Sequence, residues 1–260
     1  MSTKPMIVAV SGSAVGIGRG VAEAFAGNGG TIIAMDVDTE ENAETKSRVE
    51  AAGGHCLTFD CDVGDRLAVK QVFESLPKEL GKIDLLVNNS ALWSDTSLRA
   101  GDYDQQTQAF DAAMGACAMG AFYCTAAALP LLENAESANV INIITDHVNE
   151  GHYLSGITAT GYDCAKFSLW RLTEHWALEL APVGIRVNGL CFGATDTPML
   201  RGASPDHVDR AMLVTDITDA ITLVLDQGPD GPTGERFCFG MGPMQREDSL
   251  KQIAEIANAT

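Results

Sequence analysis

The stretch Ser11-Gly12-Ser13-Ala14-Val15-Gly16-Ile17-Gly18 constrains the fold of this chain more than any other. It follows the apolar run Met6–Ser11 without a break and opens into a helical pattern over Gly16–Ala26. Three glycines at this spacing suit a strand that turns sharply into a helix. Gly12 permits the tight turn, Gly16 lets a ligand approach the backbone, and Gly18 lets helix and strand pack closely.

The rest of the chain repeats the same rhythm. Thr31–Met35, His55–Phe59, Ile83–Val87, Val140–Ile144, Arg186–Cys191 and Arg236–Phe239 read as further strands. Thr39–Ala52, Arg66–Leu80, Tyr103–Leu132, Ala165–Ala181 and Asp216–Leu225 read as further helices. The strands are almost uninterrupted apolar runs, as strands covered on both faces should be. Alternation of this kind predicts an α/β fold: a doubly wound, Rossmann-type parallel sheet of about seven strands with helices on both faces. With 260 residues and no Pro/Gly/Ser linker, a single domain over 1–260 is expected. Pro198, Gly202 and Pro205 punctuate a segment around 198–214 that reads as a substrate lid. The tail from Gln245 to Thr260 reads as a short polar helix.

Charge and cysteine usage narrow the function classes. A formal net charge of −18 repels nucleic-acid phosphates and anionic membranes. The seven cysteines include no Cys-x-x-Cys pair and no zinc-ligand spacing, so no metal is expected. They read as buried apolar residues in a reducing compartment. Neither a signal-peptide pattern nor an unbroken run of about 20 apolar residues occurs, so the expectation is a cytoplasmic protein with no membrane partner.

A helix that begins at the glycine turn offers unpaired N–H groups and partial positive charge to a pyrophosphate. Val15 and Ile17 belong to the same turn and are counted with Gly12, Gly16 and Gly18 as cofactor contacts. Asp36 closes the second strand, where a carboxylate can accept both ribose hydroxyls of an adenosine. It would repel a 2′-phosphate by about 4 kcal/mol per charge pair at about 4 Å and an effective dielectric of about 20. With Val at positions 15 and 37, no cation compensates, and NAD is expected over NADP. Asp62 and Val63 end the third strand and Asn88-Asn89 the fourth, at the carboxyl edge where such sheets bind ligands.

These motifs, with Tyr162-Asp163-Cys164-Ala165-Lys166, Ile185-Arg186-Val187-Asn188 and the Gly193 to Pro198 segment, make the chain resemble the classical short-chain dehydrogenase/reductase family over nearly its whole length. The resemblance implies three helices on each face of the sheet. It also implies a homodimer or homotetramer built from the helices holding Tyr103–Leu132 and Ala165–Ala181. It assigns Asp62 and Asn89 to the cofactor and Thr197 to the nicotinamide carboxamide.

Tyr162 and Lys166 are four residues apart and share one helix face. A nearby ammonium stabilises a phenolate, by about 4 kcal/mol at about 4 Å, and so brings a tyrosine toward operating pH as an acid/base. The resemblance adds that Lys166 holds the nicotinamide ribose, and that a serine ends the fifth strand to polarise the substrate oxygen. Thr145 stands at that position, and a lengthened segment before Tyr162 offers Ser155 as the alternative. That segment also carries His147, His152 and Tyr153, of which His147 is the first choice for the substrate pocket. The family has an asparagine that kinks the fifth helix and anchors a proton-relay water. Here Cys117 stands in its place, and no Asn occurs between Asn89 and Asn134. Loss of an acid/base component lowers rates by about 10²–10⁴-fold.

Trp93, Tyr103, Met199, Leu200, Met212 and Leu213 read as a largely apolar pocket, with Arg201 the cation nearest the lid's start. The expected substrate is a small, largely apolar secondary alcohol or ketone, with Tyr162 as general acid/base. The competing expectation, prompted by Cys117, is a catalytically impaired NAD(H)-binding module of the same fold.

Overall fold

A computed structural model describes residues 5–94, 96–99, 101–148 and 159–239. The proposed tail helix lies outside them, as do Ser155, His152 and Tyr153. Seven strands form one parallel sheet: β1 (Ile7–Ser11), β2 (Thr31–Asp36), β3 (His55–Asp60), β4 (Leu85–Asn88), β5 (Asn139–Thr145), β6 (Arg186–Phe192) and β7 (Arg236–Phe239). Their spatial order is β3-β2-β1-β4-β5-β6-β7. Winding runs outward one way from β1 through β3 and the other way from β4 through β7. The carboxyl ends of β1 and β4 are therefore neighbours across a switch point, where a crevice opens.

Alternate residues of each strand serve opposite layers. Val8 and Val10 of β1, with Ile32 and Ala34 of β2, pack against α1 (Gly16–Ala26), α2 (Thr39–Ala51) and α8 (Val214–Leu225). Ala9, Ile33 and Met35 face the other layer. That layer contains α3 (Arg66–Ser75), the long helix Tyr103–Leu132 and α6 (Thr160–Leu180). After β6 the chain enters α7 (Pro198–Ala203), within the segment read as a lid. A 3₁₀ turn (Pro205–Arg210) and a bridge between Thr195 and Met212 complete that segment.

Local chemistry accounts for the helix ends. Asp38, Asp65 and Asp102 cap α2, α3 and the long helix by accepting from backbone N–H groups of the first turn. Pro77 disfavours helical backbone at Leu76, so α3 stops at Ser75 and not at Leu80. α6 begins at Thr160, a turn earlier than the apolar pattern indicates, because Ala159 and Gly161 already pack in the interior. The long helix is the one element among the described residues whose length and composition would suit a membrane span. Its Ala121, Cys124, Ala128 and Leu132 are instead packed against the sheet, as in a core helix.

One departure bears on function. The long helix is α4 (Tyr103–Met114), a π-helical segment (Gly115–Met119) and α5 (Gly120–Leu132). The extra residue in the π turn lies between two glycines, and such bulges cluster at functional sites.

A buried polar chain ties the two sides of the site together. Asn88 Nδ2 donates to Asn142 Oδ1 at 2.8 Å and to Thr125 Oγ1 at 3.1 Å. Asn142 Nδ2 donates to Thr173 Oγ1 at 2.8 Å, so β4, β5, α5 and α6 share one network. Asn142→Leu strips a partner from both Asn88 and Thr173, and the expected loss is about 1–3 kcal/mol. It should appear as a lower urea midpoint with an unchanged slope; an unchanged midpoint would show that the network contributes nothing to stability.

Candidate active site

The glycine turn is held from three sides. Gly12 N donates to Met35 O at 2.8 Å, which fixes the turn to β2. Asn89 Nδ2 donates to Ser11 O at 3.1 Å and Gly12 O at 2.9 Å, which fixes it to the end of β4. Ser11 Oγ accepts from the backbone N–H groups of Asn89 and Ser90, both at 3.1 Å. Gly12 has φ +69°, and a Cβ there would lie 2.9 Å from Ser90 Cα. A Cβ on Gly18 would lie 2.0 Å from Gly12 O, so only glycine permits this closeness. Val15 enters α1 without a side-chain cap, so the first N–H groups of the helix have no side-chain acceptor.

Asp36 lies at the mouth of this turn. Its Oδ2 accepts from Ala14 N at 2.8 Å and its Oδ1 from Asp38 N at 3.0 Å. Each oxygen keeps lone-pair capacity for a further donor. The nearby cation, Arg19, is committed elsewhere: its Nε donates to Thr45 Oγ1 at 3.0 Å and its Nη2 pairs with Glu41. Asp62 Oδ1 accepts from Gly64 N at 2.8 Å and so shapes the end of β3. Val63 is buried against the face of Gly120, where a Cβ would meet it at 2.6 Å.

A cavity of about 1140 Å³ runs from this cradle to the end of β5. Its wall includes Gly12, Val15, Gly16, Ile17, Asp36, Asp62, Val63 and Asn89 at one end. Trp93, Thr145, His147, Tyr162, Lys166, Thr197 and Met199 belong to the same wall. The described residues predicted for the cofactor and for proton transfer, Gly18 excepted, therefore border one space with His147, Trp93 and Met199, and Gly18 acts from behind it by its contact with Gly12.

At the chemical end Lys166 is 2% exposed, and its Nζ donates to Ile143 O at 2.6 Å. The ammonium is 5.6 Å from the centre of the Tyr162 ring. Thr145 ends β5 and hydrogen-bonds the Tyr162 hydroxyl, which draws the phenol's pKa down. Burial of the phenol outweighs it as the largest influence, and the carboxylates of Asp163 and Asp146 add to the upward shift. Lys166 was expected to lower the pKa of Tyr162; here burial of the phenol dominates, while the ammonium donates to the Ile143 carbonyl. Cys117 lies in the π segment beside Lys166. Burial raises its pKa against the pull of that ammonium, so it remains a thiol.

Aromatic rings line the adjoining wall. Trp93 and Tyr162 have centroids 4.9 Å apart, and His147 stands edge-on to both at 6.0 and 6.2 Å. His147 Nδ1 is 2.7 Å from Asp163 Oδ1. Asp163 is the site residue that sequence reasoning passed over; it was read as part of the Tyr/Lys motif only. The signal was its place next to Tyr162, one position along the helix and facing the His147 loop.

Two substrate readings, Leu213 and Tyr103, need correction. Met212 is fully buried in the core and Leu213 is exposed, because the bridge with Thr195 fixes which side of that strand-like segment faces inward. Arg201 turns outward to Asp196, with Nε 2.7 Å from Oδ1. Tyr103 is exposed in the first turn of α4 and does not border the cavity. Met199 and Leu200 do border it.

A parallel sheet with a glycine cradle at its switch point and a Tyr/Lys pair at the next strand's end defines a dinucleotide-binding α/β protein. The profile of the short chain dehydrogenase family matches residues 6–207, and the chain belongs to that family of oxidoreductases. A 3beta-hydroxysteroid dehydrogenase of Mediterraneibacter gnavus is 30% identical over 205 residues, 78% of this chain and 71% of the relative. The 3-oxoacyl-(acyl-carrier-protein) reductase FabG of Thermotoga maritima is 29% identical over 202 residues, 76% of this chain and 78% of the relative. A short-chain type dehydrogenase/reductase from Mycobacterium marinum superposes with a TM-score of 0.81 over 92% of this chain and 95% of that one, at 21% identity, a likeness of fold.

In the free protein Tyr162 should stay protonated above the ordinary tyrosine value of about 10. Alkaline absorbance titration of wild type against Tyr162→Phe reads this directly. Thr145→Val should raise the value further, since the lowering hydrogen bond is gone. A Tyr162 phenolate signal below about pH 9 would contradict the burial argument.

Proposed function

We propose that this chain is an NAD-dependent oxidoreductase that interconverts a secondary alcohol and a ketone on a small, largely apolar substrate. The observation that carries the proposal is the shared cavity: the glycine cradle and Asp36 border the same space as Thr145, Tyr162 and Lys166.

The residues fit a dinucleotide. Gly12, Gly16 and Gly18 leave backbone where side chains would intrude, and the uncapped start of α1 offers N–H groups to phosphate oxygens. Asp36, with Arg19 held by Glu41, favours a free ribose over a 2′-phosphate. Asp62 and Val63 would border the adenine, Asn89 would hold the glycine turn, and Thr197 would meet the carboxamide. When bound, NAD supplies the hydride acceptor, and its reduced form the donor.

The chain's own residues move the proton. During alcohol oxidation Tyr162 takes the hydroxyl proton; in ketone reduction it returns one to the carbonyl oxygen. Thr145 donates to the same oxygen and holds it near Tyr162. Lys166 would hold the ribose and, once turned from Ile143, would steady the phenolate that Tyr162 needs as a base. Leu92, Trp93, Met199 and Leu200 supply an apolar wall, with His147 held by Asp163 as its polar point. The hydroxysteroid dehydrogenase among the relatives acts, by its name, on an apolar secondary alcohol, which supports this class.

The same reading includes a homodimer or homotetramer. Phe110 and Phe122 of the long helix and Phe167 of α6 are exposed apolar rings on the helices implied for the contact. A cytoplasmic location accords with seven free cysteines.

Tyr162→Phe should lower turnover of secondary alcohols by about 10²–10⁴-fold while leaving NADH affinity unchanged. Wild-type protein that binds NADH yet turns over no alcohol or ketone would favour the impaired binding module instead. Asp36→Ser should narrow the preference for NAD over NADP in a binding titration; an unchanged ratio would remove Asp36 from cofactor selection.

A further inference from the structure

We propose that Cys191 and Cys238 form an oxidation site that takes a small-molecule disulfide of the glutathione class and closes to an intramolecular disulfide. The two residues are register partners on the adjacent parallel strands β6 and β7. Register partners point to the same face of a sheet, and neighbouring strands lie about 4.8 Å apart. That spacing falls within the range of about 4.4–6.8 Å between Cα atoms that a disulfide spans. Both side chains belong to one small apolar cluster with Ile144, Val148 and Trp170, and their thiols are in hydrogen-bond contact.

Exposure and position set the order of events. Cys191 is fully buried, whereas Cys238 is half-buried on β7, the edge strand of the sheet. Cys238 is therefore the thiol an oxidant reaches first. The contact with Cys238, and then burial, raise the pKa of Cys191, so it keeps its proton while Cys238 reacts. The Cys238 thiolate attacks one sulfur of the oxidant, forming a mixed disulfide and expelling one thiolate. Cys191 Sγ then attacks the Cys238 sulfur, loses its proton to solvent and expels the second thiolate. Two protein thiols are oxidised and one external disulfide is reduced to two thiols, so electrons and protons balance.

Two features mark the bond as reversible and placed near the site. A flat register pair holds its Cβ atoms near the strand spacing of about 4.8 Å, wider than the roughly 3.5–4.5 Å that a relaxed disulfide prefers. A bond under such strain is more easily reduced. Cys191 Sγ also donates to Thr145 O at 3.0 Å, and the disulfide removes that donor from the strand end carrying Thr145.

The test uses the full chain with Cys164→Ser, which removes the exposed thiol. The protein is treated with oxidised glutathione, remaining thiols are alkylated after unfolding, and peptides are mapped without reduction by mass spectrometry. The expected product is a Cys191–Cys238 cross-link with two fewer alkylated thiols, reversed by dithiothreitol. With Cys191→Ser added, glutathione should remain trapped on Cys238. A cross-link between the buried pair Cys61 and Cys124, a stable adduct on Cys238 while Cys191 is present, or full alkylation of Cys191 would each overturn the proposal. The readout is chemical and requires no turnover, so it stands apart from the proposed activity.

Discussion

The contact between Gly12 and Gly18, secured by the Asn89 side chain, is the constraint on which the rest of this structure depends. The carbonyl of Gly12 lies where a Cβ on residue 18 would be, and the Asn89 amide donates to that same carbonyl. One oxygen thus sets how closely α1 approaches β1 and how the end of β4 approaches both. The closeness opens the crevice at the switch point and exposes the first N–H groups of α1. The cavity then extends to Thr145 because Asn88, Asn142 and Thr173 bind β4, β5 and α6 into one unit behind it.

The chemical end is controlled by competition for a few polar groups in a dry space. Lys166 is buried and satisfied by Ile143 O, Tyr162 is held in its neutral form by burial, and Thr145 supplies the one downward influence. In the proposed reaction this pair becomes a working acid/base only when its environment changes. Partial charge or hydroxyl groups entering the cavity beside Lys166 would do this, since they compete with Ile143 O for the ammonium. The thiol of Cys117 sits at the same junction and, remaining protonated, adds no charge of its own.

Much of this was legible in the residues alone. All seven strands followed from short apolar runs: the five inner strands are covered on both faces, and the edge strands β3 and β7 alternate in burial yet keep enough apolar residues to be read. The cradle and the Tyr162/Lys166 pair were legible because glycine and spacing carry backbone information. The π segment was not, since one extra residue in the turn over Gly115–Met119 leaves the apolar pattern of the helix unchanged to the eye. The pairing of His147 with Asp163 was equally hidden: it joins a loop to a helix, and each residue reads as an ordinary polar neighbour of its motif. Tyr103 was misplaced because exposure in the first turn of a helix depends on packing neighbours, not on the residue's type. The direction of the Tyr162 shift was missed because spacing along a helix does not show how deeply the phenol is buried.

The central claim is that cofactor cradle and proton donor serve one reacting centre. Secondary alcohols carrying deuterium on the carbinol carbon test it most directly, with mass analysis of the reduced cofactor after incubation with NAD. The account predicts that the label moves from the alcohol to the nicotinamide and that solvent hydrogen does not replace it. NADH that binds tightly but never carries the label, across a broad panel of alcohols, would contradict it.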